Sequence, residues 1–135
     1  MPGLLREKLP DTAVGFFLHI PFPSYEMFRL LPKEWAKEIL KGLLGADLIG
    51  FHTYDYTQFF LHSVQRILGC EHNIGRIIYE DRVIKADTFP MGIDFHKFFT
   101  YTDNKKVKKE REKAKESISD YKVILSIDRL DYTKG

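Results

Sequence analysis

The chain has 135 residues, a formal net charge of +2 and a single cysteine, Cys70. Its length allows one average domain with a buried core, and the 11 Phe and 7 Tyr argue against disorder. The weak net charge gives no support for a nucleic-acid or membrane surface, and a lone cysteine excludes an internal disulfide, so we expect a soluble cytoplasmic protein that contacts neither nucleic acid nor membrane.

The chain begins with alternating signals for helix and strand. A helix should end before Pro10, and the apolar run 13–18 predicts a central strand that is covered on both faces. This strand leads into His19 and a loop stiffened by two prolines, after which Ser24 can cap a short helix.

A longer helix should begin at Pro32, run to about Leu44 and stop at Gly45. Apolar positions recur in it at spacings of three and four, which predicts one buried face. The residues of this face are Trp35, Ala36, Ile39, Leu40, Leu43 and Leu44.

The next segment, 47–51, reads as a second strand, and Thr53 can cap the helix that follows it. The inner face of that helix should contain Tyr56, Phe59, Phe60, Val64, Ile67 and Leu68, and its end should be Gly69. A hairpin is then predicted over 77–85, with its turn at Glu80-Asp81.

The C-terminal third begins with a strongly charged helix over 104–117, for which Asn104 is a possible cap. Glutamates are mixed among its lysines, so a solvated helix face is a better explanation than a nucleic-acid patch. A last apolar run, 123–127, predicts a buried strand.

Strands that alternate with helices predict an α/β fold with a mostly parallel sheet. Ligands of such sheets bind beyond the carboxyl ends of the strands. The residues at these ends form the candidate site: His19, His52, Thr53, residues 91–94 and residues 129–135.

Each candidate has a structural explanation beside the functional one. His19 could satisfy loop backbone groups or contact a sugar hydroxyl or phosphate, because neutral imidazole both donates and accepts. For His52 the structural explanation is favoured, and Gly92 could serve a tight turn as well as a close backbone approach to a ligand. Asp94 can simply cap the next helix. No cluster has metal-ligand spacing, so we expect no metal and no cofactor.

Arg129 and Lys134 carry the sharper signal. A guanidinium and an ammonium on a short loop after a strand are well placed to hold a phosphate. The sequence has neither a G-x-G-x-x-G nor a Walker motif, so we predict a phosphate site built from side chains.

Four ordered segments, 19–23, 50–53, 90–94 and 129–135, together resemble the trehalose-6-phosphate synthases of glycosyltransferase family 20. The resemblance implies a retaining glycosyltransferase of the GT-B type, with two Rossmann-like domains that each have a parallel sheet and flanking helices. Such enzymes transfer glucose from UDP-glucose to glucose 6-phosphate, giving trehalose 6-phosphate, and need no metal.

The resemblance also implies roles for individual positions. Arg129 and Lys134 match the basic pair that grips the donor diphosphate, and His19 matches the histidine at the donor sugar. Those three residues are the expected catalytic set. The loop that closes the first domain contains Gly92, Ile93 and Asp94, which are expected to contribute to substrate binding.

On the same comparison the chain is an incomplete internal fragment. Residues 1–99 would be the later part of the N-terminal domain, and residues 100–135 the crossover and the first helix and strand of the nucleotide-sugar-binding domain. The fragment alone should be inactive, whereas the full-length protein could be a homo-oligomer or be fused to a phosphatase domain. The alternative is a non-catalytic regulatory or sensor module, but the presence of His19, Arg129 and Lys134 favours catalysis.

Overall fold

The computed structural model describes residues 1–118 and 122–127. The elements are, in chain order, α1 (Pro2–Lys8), β1 (Gly15–Leu18), α2 (Tyr25–Phe28), α3 (Lys33–Leu44), β2 (Leu48–Phe51), α4 (Tyr54–Leu68), β3 (His72–Asn73), β4 (Arg76–Tyr79), β5 (Arg82–Thr88), α5 (Phe95–Tyr101) and α6 (Lys105–Ile118). The chain divides into two compact units, Met1–Met91 and Gly92–Gly135. Within the described ranges, no helix combines the length and the apolar character that crossing a membrane would need.

The first unit is built on a five-stranded sheet with the order β1-β2-β5-β4-β3. The pairs β1–β2 and β2–β5 are parallel, whereas the hairpin adds the antiparallel pairs β4–β5 and β3–β4. The α/β fold is therefore confirmed. The prediction that β1 is central is wrong, because β1 lies at one edge of this sheet and its residues are only half-buried or exposed.

The core lies on one face of the sheet, where α4 packs against β2 and β5. The buried apolar residues are Phe22, Phe28, Ala36, Leu40, Leu43, Leu44, Ala46, Ile49, Phe51, Phe60, Leu61, Val64, Ile77, Ile84 and Ala86. Residues on the other face of the hairpin are exposed, as Ile78 (69%) and Val83 (63%) show. Trp35, predicted on the buried face of α3, is 63% exposed, because it lies at the margin of a stripe centred on Ala36 and Leu43.

Capping and turn residues end several helices and strands where the sequence predicted. The Thr53 side chain caps α4 by accepting a hydrogen bond from the Tyr56 N–H at 3.3 Å, and Gly69 ends this helix with a left-handed φ of 73°. The hairpin turns at Glu80 and Asp81, whose φ angles are 48° and 59°. Left-handed conformations at both central residues suit a tight turn between twisted strands.

Gly45 ends α3 for a reason that the sequence did not indicate. Its φ of −66° is right-handed, so no conformational demand requires glycine there. A Cβ at this position would lie 2.3 Å from the backbone nitrogen of Gly3, so the missing side chain makes room for α1.

The second unit contains α5 and α6. Asp94 caps α5 through a 2.9 Å hydrogen bond from the Lys97 N–H, and Asn104 accepts a 2.9 Å hydrogen bond from the Lys106 N–H at the start of α6, as predicted. The expected strand at 123–127 is wrong, because residues 122–127 form neither helix nor strand. The described part of this unit has no other strand with which the run could pair, and Ile124 is 96% exposed.

The Asp47 carboxylate ties together the amino ends of the parallel strands. Its Oδ2 atom accepts hydrogen bonds from Arg6 Nη2 at 2.6 Å and from the Val14 N–H at 2.7 Å, and its Oδ1 atom accepts one from Arg82 Nη2 at 2.6 Å. The Asp47 N–H donates a hydrogen bond to Val14 O at 2.8 Å, and the Asp47 carbonyl oxygen accepts one from the Lys85 N–H at 2.9 Å. One residue thus connects α1, β1, β2 and β5.

These contacts also set the protonation of Asp47. Burial raises the pKa of this carboxyl group, but the Val14 N–H and the guanidinium groups of Arg82 and Arg6 outweigh it, so the pKa lies below its usual value. Asp47 is therefore charged at neutral pH and contributes charge-assisted hydrogen bonds.

We expect Asp47→Asn to lower the free energy of unfolding by about 1–2 kcal/mol at pH 7, the low end of the range for hydrogen bonds to charged groups, because the carboxylate is 40% exposed. Urea unfolding followed by circular dichroism measures this loss. Asp11→Asn, in the exposed loop before β1, is the matched control and should change stability by less than about 0.5 kcal/mol.

The difference between the wild type and Asp47→Asn should also depend on pH. A carboxyl group whose pKa is lower in the folded state contributes its full stability above the unfolded pKa of about 3.9 and loses it as the pH falls through the folded pKa. The two unfolding curves should therefore converge on acidification. A gap that stays constant or widens as the pH falls would show that the charge of Asp47 is not what stabilises the fold.

Candidate functional site

His19 and His52 lie side by side at the carboxyl edge of the sheet. In the parallel pairing of β1 with β2, Leu18 is opposite Phe51, and each histidine is the next residue along its chain. The centroids of the two imidazole rings are 5.3 Å apart. The register of two short strands therefore brings together two side chains that are 33 residues apart (52 − 19) in sequence.

Phe17 completes a cluster with the two histidines. Its ring centroid is 4.8 Å from that of His19 and 4.8 Å from that of His52, at interplanar angles of 57° and 77°. We call Phe17, His19 and His52 the ring cluster. Tilted and edge-on contacts place the positive ring edge against a negative ring face, which is the favourable arrangement for aromatic pairs. His52 is half-buried within the cluster, whereas His19 is exposed.

Gly50 provides the space in which Phe17 lies. The two residues are opposite each other in the register, and a Cβ at Gly50 would lie 2.7 Å from Phe17 Cδ2 and 2.9 Å from Phe89 Cδ2. Gly50 is buried although it has no side chain. A glycine in a strand interior often marks such a close approach.

Hydroxyl groups connect the start of α4 to the end of β5. Thr57 Oγ1 and Thr88 Oγ1 are 2.8 Å apart, and Thr57 Oγ1 also donates to Thr53 O at 3.3 Å. The Phe89 N–H donates to Phe51 O at 2.8 Å, which extends the β2–β5 pairing by one bond. The chain that carries His52 is therefore held from both sides.

The nearby carboxylate of Asp87 is already neutralised. Lys85 Nζ lies 2.6 Å from Asp87 Oδ2, and the Thr88 N–H donates to Asp87 Oδ1 at 2.8 Å. The contact with Lys85 has the largest effect and the hydrogen bond from the Thr88 N–H the second largest, and both lower the pKa of Asp87. Asp87 is opposite Gly50 in the β2–β5 register, so the carboxylate at this position of the sheet is already ion-paired.

The other predicted site residues lie in the second unit, and two of them are not among the residues that the structure describes. Gly92, Ile93 and Asp94 precede α5, and Asp94 acts as its cap. Arg129 and Lys134 lie outside the described residues, so their placement stays a prediction.

The interpretation of Gly92 as a residue required by a tight turn is wrong. Its φ is not among the left-handed glycine angles, which belong to Gly69 and Gly75 in the described part of the chain. A Cβ added at Gly92 would meet no heavy atom within 4 Å. Local sterics therefore do not require glycine here, and a role in backbone approach to a ligand stays a prediction.

Sequence reasoning missed Phe17 and Gly50 and favoured a structural role for His52. A signal was available, because His19 and His52 both directly follow short apolar runs that should form adjacent parallel strands. Two residues that directly follow neighbouring parallel strands are expected to be in contact, as His19 and His52 are. A glycine inside the second strand, Gly50, predicts that a side chain of the first strand packs over it.

The ring cluster is suited to hydrogen bonding rather than to covalent chemistry. A neutral imidazole offers one donor and one acceptor, which matches a sugar hydroxyl, and a protonated one offers two donors to a phosphate. Its position beyond the carboxyl ends of parallel strands is where α/β sheets bind ligands.

Comparison with known proteins finds similarity over almost the whole chain. The sequence profile described as glycosyltransferase family 20 matches residues 1–135. A bifunctional trehalose-6-phosphate synthase/phosphatase from Thermoproteus tenax is 49% identical over 134 residues, which is 99% of this chain and 18% of that protein.

Two solved structures have the same fold over most of the chain. A UDP-forming alpha,alpha-trehalose-phosphate synthase from Burkholderia xenovorans has a TM-score of 0.75 and 33% identity, covering 98% of this chain and 30% of its own. The N-terminal domain of a trehalose-6-phosphate phosphatase from Candida albicans has a TM-score of 0.74 and 37% identity, covering 88% of this chain and 25% of its own. The chain thus spans less than a third of the length of these proteins.

We expect Gly50→Ala to displace Phe17, because the added Cβ would lie 2.7 Å from its Cδ2 atom. Such overpacking should lower the free energy of unfolding by about 1–3 kcal/mol. The imidazole signals of His19 and His52 should shift in ¹H–¹³C NMR spectra, since both rings contact Phe17.

Gly15→Ala is the matched control, since Gly15 lies in β1 on the same face as Phe17 and a Cβ there would meet no heavy atom within 4 Å. It should leave the imidazole signals in place. Equal spectra for Gly50→Ala and the wild type would show that Gly50 does not seat the ring cluster.

Proposed function

Because the chain belongs to glycosyltransferase family 20, we propose that it is an internal segment of an enzyme that makes trehalose 6-phosphate. The observation that carries this proposal is the family match over the whole chain, with His19 at the carboxyl edge of the parallel strands, where the donor sugar would bind. We assign residues 1–99 to the later part of the N-terminal Rossmann-like domain and residues 100–135 to the crossover and the start of the second domain.

The proposed reaction transfers glucose from UDP-glucose to glucose 6-phosphate with retention of configuration. Departure of UDP develops negative charge on the diphosphate, which fixed cations must stabilise. We assign that task to Arg129, which can meet two oxygens at once, and to Lys134, which acts as a point charge. The proposal includes neither a metal nor another cofactor.

The exposed imidazole of His19 is the group of the first unit that we assign to the donor sugar. Its hydrogen-bonding capacity fits a hydroxyl, and the ring contacts with Phe17 and His52 define where the imidazole lies. We assign the backbone of Gly92 and Ile93, with Asp94, to the loop that closes on the substrate.

A regulatory or sensor module is the second candidate function. The Candida albicans domain supports it, because a segment 37% identical to this chain forms part of a phosphatase. Catalysis is favoured here because the chain contains all three candidate catalytic residues, His19, Arg129 and Lys134.

For the full-length protein we propose a cytoplasmic enzyme that is either a homo-oligomer or a fusion with a phosphatase domain. The bifunctional Thermoproteus tenax relative is the precedent for the fusion. We propose no nucleic-acid or membrane partner.

We expect the isolated 135-residue chain to make no trehalose 6-phosphate and a longer protein that contains it to do so. The reason is that catalysis between two Rossmann-like domains needs groups from both. The transferase activity of both proteins is measured by chromatographic detection of trehalose 6-phosphate, with UDP release as a second readout. Turnover by the isolated chain, or its absence from the longer protein, would refute the proposal.

In the longer protein, Arg129→Ala should cost roughly 3 kcal/mol of transition-state stabilisation, or about a hundredfold in kcat, by analogy with the loss of one oxyanion donor. Steady-state kinetics with UDP-glucose measure it. Arg111→Ala, on the exposed surface of α6, is the matched control and should leave kcat unchanged. A loss below about tenfold for Arg129→Ala would contradict the assigned role.

A further inference from the structure

His52 touches both other rings of the ring cluster, yet the proposed reaction gives it no part. Its ring centroid lies 5.3 Å from that of His19 and 4.8 Å from that of Phe17. His52 is half-buried, whereas His19 is exposed. Among the described residues, the exposed imidazole therefore has two ring neighbours, Phe17 and His52, and both are partly shielded from solvent.

The backbone on either side of His52 is fixed by hydrogen bonds. It directly follows β2, and the next residue, Thr53, accepts bonds from the Tyr56 N–H at 3.3 Å and from the Thr57 N–H at 3.3 Å at the start of α4. One residue before it, Phe51 O accepts the Phe89 N–H at 2.8 Å. His52 thus lies between a strand and a helix that are both anchored.

His19 has a different setting, because it follows the last residue of β1 and begins a loop. This strand lies at the edge of the sheet and pairs with β2 alone among the described elements. An exposed side chain at a strand exit has rotational freedom that its backbone does not remove. The contacts that restrict the imidazole of His19 come from Phe17 and His52.

We propose that His52 is a positioning residue that, together with Phe17, fixes the orientation of the His19 imidazole for contact with the donor sugar. This inference rests on the proposed function for the identity of the ligand. Catalytic rates depend steeply on such placement, because a misplacement of about 1 Å can cost roughly a hundredfold. The His52 ring packs against the His19 imidazole and restrains its orientation without contacting the substrate.

A purely structural role for His52 makes a different prediction. If the ring only filled space under α4, its removal would lower stability but leave kcat per folded molecule unchanged. If it positions His19, removal should lower kcat in protein that is still folded, and a ring of similar size should restore most of the loss.

The test compares His52→Ala, His52→Phe and His62→Ala in the longer protein that contains this chain. His62 is an exposed histidine of α4 and serves as the matched control. We expect His52→Ala to lower kcat for UDP-glucose by about tenfold or more, with KM for glucose 6-phosphate within about twofold of the wild type. His52→Phe should stay within about threefold of the wild-type kcat, and His62→Ala should match it.

The orientation itself is read by NMR on the 135-residue chain with labelled histidines. His52→Ala should remove the contacts between the His19 and Phe17 rings seen as nuclear Overhauser effects, and His52→Phe should retain them. Unchanged effects in His52→Ala, or an unchanged kcat, would overturn the inference. If the wild-type longer protein lacks transferase activity, the proposed function fails, and the NMR comparison alone then decides whether His52 orients His19.

Discussion

The carboxylate of Asp47 holds the amino ends of the three parallel strands in one place. It accepts hydrogen bonds from Arg6, Arg82 and the Val14 N–H, each at 2.6 or 2.7 Å. β1 and β2 are four residues long, so fixing one end of each strand also determines where the other end lies. At about 3.3 Å per residue, the anchor and the opposite edge are separated by roughly 13 Å.

The ring cluster depends on that alignment in two ways. The shared register places His19 beside His52, and it places Phe17 over Gly50, where the absence of a side chain leaves room for the ring. The stabilising contacts of Asp47 and the proposed ligand site therefore lie at opposite ends of the same strands. The ion-paired carboxylate of Asp47 lies at the first end and the rings of Phe17, His19 and His52 lie at the second, so the anchoring charge is kept away from the proposed ligand site.

The structural features that could be predicted well from the sequence are those set by residues close together along the chain. Thr53 and Gly69 delimit α4 through bonds within one helical turn, so their residue types were sufficient. Long-range features were not accessible in the same way. The exposure of Trp35 depends on which neighbours cover α3, and the run 123–127 reads as a strand only if a partner strand is present. Phe17 joined the site through pairing between strands, which composition does not reveal.

The distances along the chain between anchor and site have an evolutionary consequence. Val14 and His19 are five positions apart (19 − 14), as are Asp47 and His52 (52 − 47). An inserted or deleted residue inside either interval would turn the imidazole to the opposite face of the sheet. Length changes in the connection that carries α2 and α3 would leave both intervals intact. Related proteins should therefore tolerate gaps in that connection and none within these two short stretches.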